Sequence, residues 1–397
     1  MMSIPVKSLL SPVCILCTTA LAQLIVLLAY VAGWWESWRI EFSDVTWSDL
    51  SGSMAVWGGL LASIYVGRSM ISKSKARNLN GVDEGKNVVF NAIAMFCTVL
   101  SVVGVLLMLK SAIGIGGRDA IIMGVQGTLR TEMAGGGFLV FAVFSYLGVV
   151  VCSVCSNKKA LLLTNLACLF VIATMYAARM YFFAAVVMSV VIYLRKRCWE
   201  SRIRLLYIGV VVMVVPGLTV AVAALREFEN SEDSRSSDQP VEWGVRTMVD
   251  YPLSTAIYSM HVDEMPPVEG IVAAMPVLRR LLVGAGGASD DDMLSFRECY
   301  GHKGYTNLGG WGQMQRVFGA VGSVVMLALF GVCTGFFWTK FMSGDSAGLM
   351  LYPVFAYALF EFWRIAYLLE EIPQLVLFLL VCIMPFVRKE EVSVCAS

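Results

Sequence analysis

Residues 158–197 read KKALLLTNLACLFVIATMYAARMYFFAAVVMSVVIYLRKR. Lys158 and Lys159 open the stretch and Arg195, Lys196 and Arg197 close it. Between them the residues are almost uniformly apolar, with Arg179 the single charge, near the midpoint. One helix over that interval would be about 52 Å long, whereas the hydrocarbon core of a bilayer is about 30 Å thick. The stretch therefore predicts two membrane spans joined by a tight turn at Ala177–Arg179. Basic residues gather at the cytoplasmic ends of spans, so both ends are assigned inside and Arg179 to the outer rim. A guanidinium there has two readings: it snorkels to lipid head groups from a helix start, or it clamps a phosphate.

The whole chain fits this setting. Its 397 residues are 58% hydrophobic and only 15% charged, with mean hydropathy +0.73, a balance that marks a polytopic membrane protein rather than a soluble domain. Nothing in it points to nucleic acid. Most of the 11 cysteines fall inside apolar runs, so no disulfide framework is expected, and the Cys14/Cys17 and Cys152/Cys155 pairs are read as packing. Lys7 followed by an apolar run imitates a signal peptide. The run continues through Val31 without a polar cleavage region, so an uncleaved anchor is expected.

Spans are expected at residues 13–33, 54–71, 88–109, 138–154, the two of the hairpin, 205–225, 317–338, 348–363 and 372–387. The fold class is all-α: a polytopic helical bundle of about ten spans. The division is residues 1–225 (spans 1–7), 226–316 (one large outer loop) and 317–397 (spans 8–10 and a tail), with both termini inside. The inner segments then sum to about +10 and the outer to about −9, as the positive-inside bias requires. Residues 110–137 form a glycine-rich outer loop. Within the large loop, Val245, Met248, Val249, Leu253 and Ile257 recur at helical spacing, predicting an amphipathic helix over 241–261 with a break at Pro252. A loop of this size between spans is usually functional.

Of the fourteen cations assigned outside, only Lys110 and Lys303 are lysines. A planar guanidinium grips phosphate oxygens through two parallel hydrogen bonds, whereas an ammonium acts as a point charge. The bias fits a phosphate-bearing ligand at the outer face; interface anchoring and pairing with nearby carboxylates account for it equally well. Arg179, Arg226 and Arg316 stand at span ends. Arg118, Arg130 and Arg246 are outer-loop candidates. His302 and Trp311 lie among tyrosines and glycines, a composition that suits contact with sugar rings and suits a compact turn as well. Asp290–Asp292 contains an Asp-x-Asp pattern, but no nucleotide-binding domain accompanies it, and it is read as a solvated acidic turn. His261 and His302 lack ligand spacing, so neither a metal nor a cofactor is implied. Glu361 and Arg364, three apart, are read as a helical pair.

Three features resemble the O-antigen polymerases, the Wzy-type polymerases of oligosaccharide repeat units. They are the hairpin with Tyr176-Ala177-Ala178-Arg179 at its tip, the long outer loop, and the passage from Thr306-Asn307-Leu308-Gly309-Gly310 to Val317-Phe318-Gly319-Ala320-Val321-Gly322. The layout covers nearly the whole chain; the motifs cover about 35 residues. The chain departs from the family in having Ala-Ala-Arg where a small-Ser-Arg turn is usual, and in lacking clean paired Arg-x10-Gly motifs. An O-antigen ligase has a similar layout, but its histidine motif fits His302-Lys303 poorly.

The resemblance implies a GT-C-like glycosyltransferase of lipopolysaccharide biosynthesis in a bacterial inner membrane, independent of metal. It would join undecaprenyl-diphosphate-linked repeat units into a polysaccharide at the periplasmic face, with a chain-length regulator as a partner. Arg179, Arg226 and Arg316 would be catalytic. Arg118, Arg130, Arg246, His302 and Trp311 would bind substrate. Asp119, Glu132 and Glu227 stand as alternatives for a base. The competing reading is a flippase or other carrier, which would show ionisable groups and interrupted helices near mid-membrane.

Overall fold

The computed structural model describes residues 3–34, 46–71, 88–120, 139–154, 159–175, 179–204, 240–261 and 308–395. The span expected at 205–225 lies outside them, as do residues 262–307 of the large loop. The described residues are nearly all helical: α1 (Pro12–Val31), α2 (Trp47–Ser69), α3 (Val88–Gly116), α4 (Leu139–Val154), α5 (Lys159–Met175), α6 (Arg179–Arg197), α7 (Pro240–Met260), α8 (Gly309–Ser343), α9 (Ser346–Glu361) and α10 (Glu371–Cys395). Two three-residue strands, β1 (Ser3–Pro5) and β2 (Arg202–Arg204), pair antiparallel. Among the described residues, four helices are long and apolar enough to cross a bilayer, and four shorter apolar helices accompany them. This is the architecture of a helical membrane protein: water-free surroundings force backbone groups to pair within each helix.

Most ends fall where charge and hydropathy change, the hairpin break between Met175 and Arg179 included. Four helices differ from the sequence expectation, one being α10, which runs past residue 387 to Cys395. α2 starts at Trp47, not residue 54, because Thr46 caps it: its hydroxyl accepts from Ser48 N at 3.2 Å, and Asp49 accepts from Thr46 N at 2.7 Å. α3 continues past Leu109 to Gly116. α8 starts at Gly309, inside the segment read as loop, and is broken at Gly319 (φ 68°, ψ 178°), a conformation essentially confined to glycine. From there to Ser343 the helix is about 36 Å long at 1.5 Å per residue, a full bilayer crossing.

The chain divides into two units. The first holds β1, α1, α2, β2, α7, α8 to Gly335 and residues 358–369. In α1 the buried positions are Leu16, Thr19, Ala20, Gln23 and Leu27; in α2 they are Leu50, Ser53, Trp57, Leu60, Ile64 and Gly67. Both sets recur every three or four residues, so each helix buries one face. The opposite faces are equally apolar (Leu21, Ile25, Tyr65 and Val66 are exposed), as lipid contact demands. α2 and α8 meet backbone to backbone. A Cβ on Gly67 would lie 2.0 Å from Val332 O, and one on Gly335 would lie 2.1 Å from Ile64 O. Gly331 and Gly335 make a Gly-x-x-x-Gly pair, which lets helices approach this closely.

The second unit holds α3–α6, residues 336–357 and α10. Asn165 of α5 is fully buried. Its Nδ2 donates to Thr98 Oγ1 at 2.7 Å and its Oδ1 accepts from Ser101 at 3.0 Å. A Cβ on Gly148 of α4 would lie 2.4 Å from that Oδ1. Two cations of the 195–197 triplet cap helix C-termini, where they oppose the loose carbonyls and the negative end of the helix dipole. Arg195, stacked over Trp199, donates to Phe341 O at 2.8 Å and Met342 O at 2.9 Å; Lys196 donates to Val154 O.

Replacing Gly335 by Ala is expected to part α2 from α8 and to cost about 1–3 kcal/mol, measured as a drop in the thermal unfolding midpoint in detergent. Gly58→Ala, where no atom lies within 4 Å of the added Cβ, should unfold like the wild type. Equal midpoints for both would contradict the close approach.

Candidate functional site

The polar groups of the first unit gather where α1 ends and α2 begins. The C-terminal turns of α7 pack there: Leu253, Ala256 and Ile257 form one cluster with Leu27 and Leu50, against Leu24, Val26, Tyr30 and Val31. Every residue from Leu253 to Ser259 is buried, so this part of α7 is enclosed on all sides rather than amphipathic, and it passes through Pro252 unbroken. His261 Nε2 at its end lies 3.8 Å from Asp49 Oδ1 at the start of α2.

The start of α8 docks onto the turn that follows α9. Gly309 N donates to Arg364 O at 3.1 Å and Gly310 N to Phe362 O at 2.8 Å. Ala366 N donates to Gln313 Oε1 at 2.6 Å, and Ser259 Oγ donates to Leu308 O at 2.9 Å. Glycine is needed for this approach: a Cβ on Gly309 would lie 2.3 Å from Ser259 Oγ, and one on Gly310 would lie 2.5 Å from Phe362 O. The sequence expectation of a Glu361–Arg364 pair is met, with Arg364 Nε 2.7 Å from Glu361 Oε2.

Gln23, buried within α1, ties three elements together. Its Nε2 donates to Trp363 O at 3.3 Å and its Oε1 accepts from Trp57 Nε1 at 3.1 Å. Trp57 meets Phe362 edge-on at 5.5 Å, and Tyr251 meets Trp363 at 5.7 Å. A recess opens among Gln23, Ser53, Trp57, Ser259, Trp311 and Trp363. Its free volume is about 20 Å³, room for one water molecule and far too little for a sugar ring.

The candidate residues distribute as follows. Trp311 lines the recess. Arg316, five residues on in α8, is half-buried, with Nε shielded from solvent. Arg246 lies on α7 in the same unit. Arg179 is the first residue of α6, and Arg118 is exposed in a single 3-10 turn, Gly117–Asp119; both belong to the second unit. Arg130, Arg226 and His302 lie outside the described residues, as do Glu132 and Glu227. Asp119, a candidate base, is exposed, whereas Asp250 on α7 is fully buried.

Sequence reasoning passed over Gln23, Asp250, Ser259 and Gln313. A signal existed for Gln23, the one amide in the apolar run 13–33. For Ser259 and Gln313 there was none, because their partners are about 50 residues away. No protein-family model matches the chain, and neither a curated protein nor a solved structure matches it.

Gln23→Leu removes two hydrogen bonds and leaves the Trp57 N–H and the Trp363 carbonyl in an apolar setting. A loss of about 1–3 kcal/mol is expected, read as a lower unfolding midpoint in detergent. An unchanged midpoint would show that the amide does not hold the three elements together.

Proposed function

We propose that the chain is a membrane glycosyltransferase of the O-antigen polymerase type, joining lipid-diphosphate-linked repeat units at the outer membrane face. The observation that carries the reading is Arg179 at the start of α6, four residues after the end of α5, with no acidic residue in that first turn. The N-terminus of a helix favours anions and disfavours cations. A guanidinium added there without a carboxylate concentrates positive charge, and a phosphate relieves it. The pairing of β1 with β2 supports the assigned topology. It holds residues 3–5 beside 202–204, and an even number of crossings between them, six on this reading, is what that requires.

In the reaction, a hydroxyl of an acceptor sugar attacks the anomeric carbon of the donor. The bond from that carbon to the diphosphate oxygen breaks, the hydroxyl proton passes to a base, and negative charge collects on the departing lipid diphosphate. Arg179 stabilises that charge as it develops, the role of a fixed donor in a poorly solvated site; Arg226 and Arg316 are the further candidates for that role. Arg118, Arg130 and Arg246 are candidates for the remaining phosphate and sugar oxygens, and His302 and the part of Trp311 outside the recess for sugar rings.

A carrier for the same lipid-linked glycan draws support from the break in α8, since discontinuous helices line carrier sites. Gly319 stands about 36 Å along the helix from Ser343, however, a full crossing, which on this reading puts the break at a membrane face and not at the midplane where carriers bind.

Deletion of the gene should leave surface glycolipid with core plus one repeat unit on a gel. Bare core would point to a flippase or a ligase, and a full ladder would reject all three. Arg179→Ala should reproduce the deletion, with polymerisation reduced roughly 10²–10³-fold. Normal chain length at normal protein level would remove Arg179 from the site.

A further inference from the structure

The stretch 308–318 holds a device that the proposed function does not itself require. It begins at Leu308, whose carbonyl accepts from Ser259, and ends one residue before the break at Gly319. Its glycines serve two purposes. At Gly309 and Gly310 any side chain would collide with Ser259 or Phe362, so glycine permits contact. At Gly319 nothing lies within 4 Å of an added Cβ, so glycine permits only the backbone angle. The first is a clasp and the second a joint.

The clasp takes two of the N–H groups of the helix N-terminus. Gly309 N and Gly310 N, which would otherwise face an anion, donate to Arg364 O and Phe362 O. Arg316 is the arm's one charged residue. Gln313 stands three residues before Arg316, on a neighbouring position of the helix surface. Its Oε1 accepts the N–H of Ala366, a group in the turn between α9 and the short Tyr367–Leu369 helix.

We propose that residues 308–318 form an arm, jointed at Gly319 and seated on the 362–366 turn, and that Gln313 is the positioning residue that sets Arg316 for a lipid diphosphate. This rests on the reading of Arg316 as a diphosphate ligand. The seated arm lines the recess at Trp311.

The test uses full-length protein in lipid nanodiscs, with undecaprenyl diphosphate as probe and binding followed by tryptophan fluorescence. Arg316→Ala should weaken binding. Gln313→Met, which keeps the shape and removes the acceptor, should weaken it about tenfold, the worth of one buried hydrogen bond. Gln313→Glu, which restores an acceptor oxygen, should recover it. Gly319→Ala introduces no collision and should weaken binding as Gln313→Met does, whereas Gly58→Ala should not. Wild-type binding by Arg316→Ala would remove Arg316 as a ligand and the proposal with it. Weak binding by Arg316→Ala beside wild-type binding by Gln313→Met or Gly319→Ala would overturn the arm and leave the reading of Arg316 standing. Failure of Gln313→Glu to recover binding would likewise overturn the role of its acceptor.

Discussion

A backbone inside hydrocarbon has no water to turn to, and every interruption of a helix frees donors and acceptors that something must take. In this chain side chains from other helices take them. Arg195 and Lys196 hold the last carbonyls of α8 and α4. Gln23 holds the carbonyl of Trp363, Ser259 that of Leu308, and Gln313 the N–H of Ala366. Several polar residues inside apolar helices thus serve the breaks, while Asn165, Thr98 and Ser101 bond to one another between helices. Two cations of the basic triplet that sequence reading assigns to the inner face thus cap helices.

Glycine performs the complementary task. Gly67, Gly331 and Gly335 bring α2 and α8 together at backbone distance, as Gly148 does for Asn165. In a medium as apolar as the side chains themselves, association rests on close packing and hydrogen bonds rather than on water expulsion. The lipid-facing sides of α1 and α2 can then remain apolar without weakening the unit.

The parts legible in the sequence were those decided by neighbours along the chain. The hairpin 158–197, the edges of α1, α4 and α9 and the Glu361–Arg364 pair follow from hydropathy, charge and spacing. The start of α2 was also legible, since Thr46 and Asp49 are the two halves of a capping box; the acidic residues nearby disguised it as loop. The start of α8 was not. Gly309-Gly310-Trp311-Gly312 has the composition of a turn, and it is helical because it docks on residues 362–366, far along the chain. The enclosure of α7 by Leu27 and Leu50, and the use of Gln313, are likewise settled by distant partners. Of the amides and hydroxyls that tie these elements together, only Gln23 carried a signal in the sequence; Ser259 and Gln313 meet partners about 50 residues away.

Photo-crosslinking addresses the central claim most directly, namely that arginines at the outer rim hold a lipid diphosphate. A polyprenyl diphosphate carrying a photoreactive group beside its phosphates would be activated on the full-length protein, and the adducts mapped by mass spectrometry. The account predicts adducts at Tyr176–Phe182 and on residues 308–318, suppressed by excess undecaprenyl diphosphate. Adducts confined to Lys196–Arg204, or adducts that excess lipid diphosphate does not suppress, would contradict it.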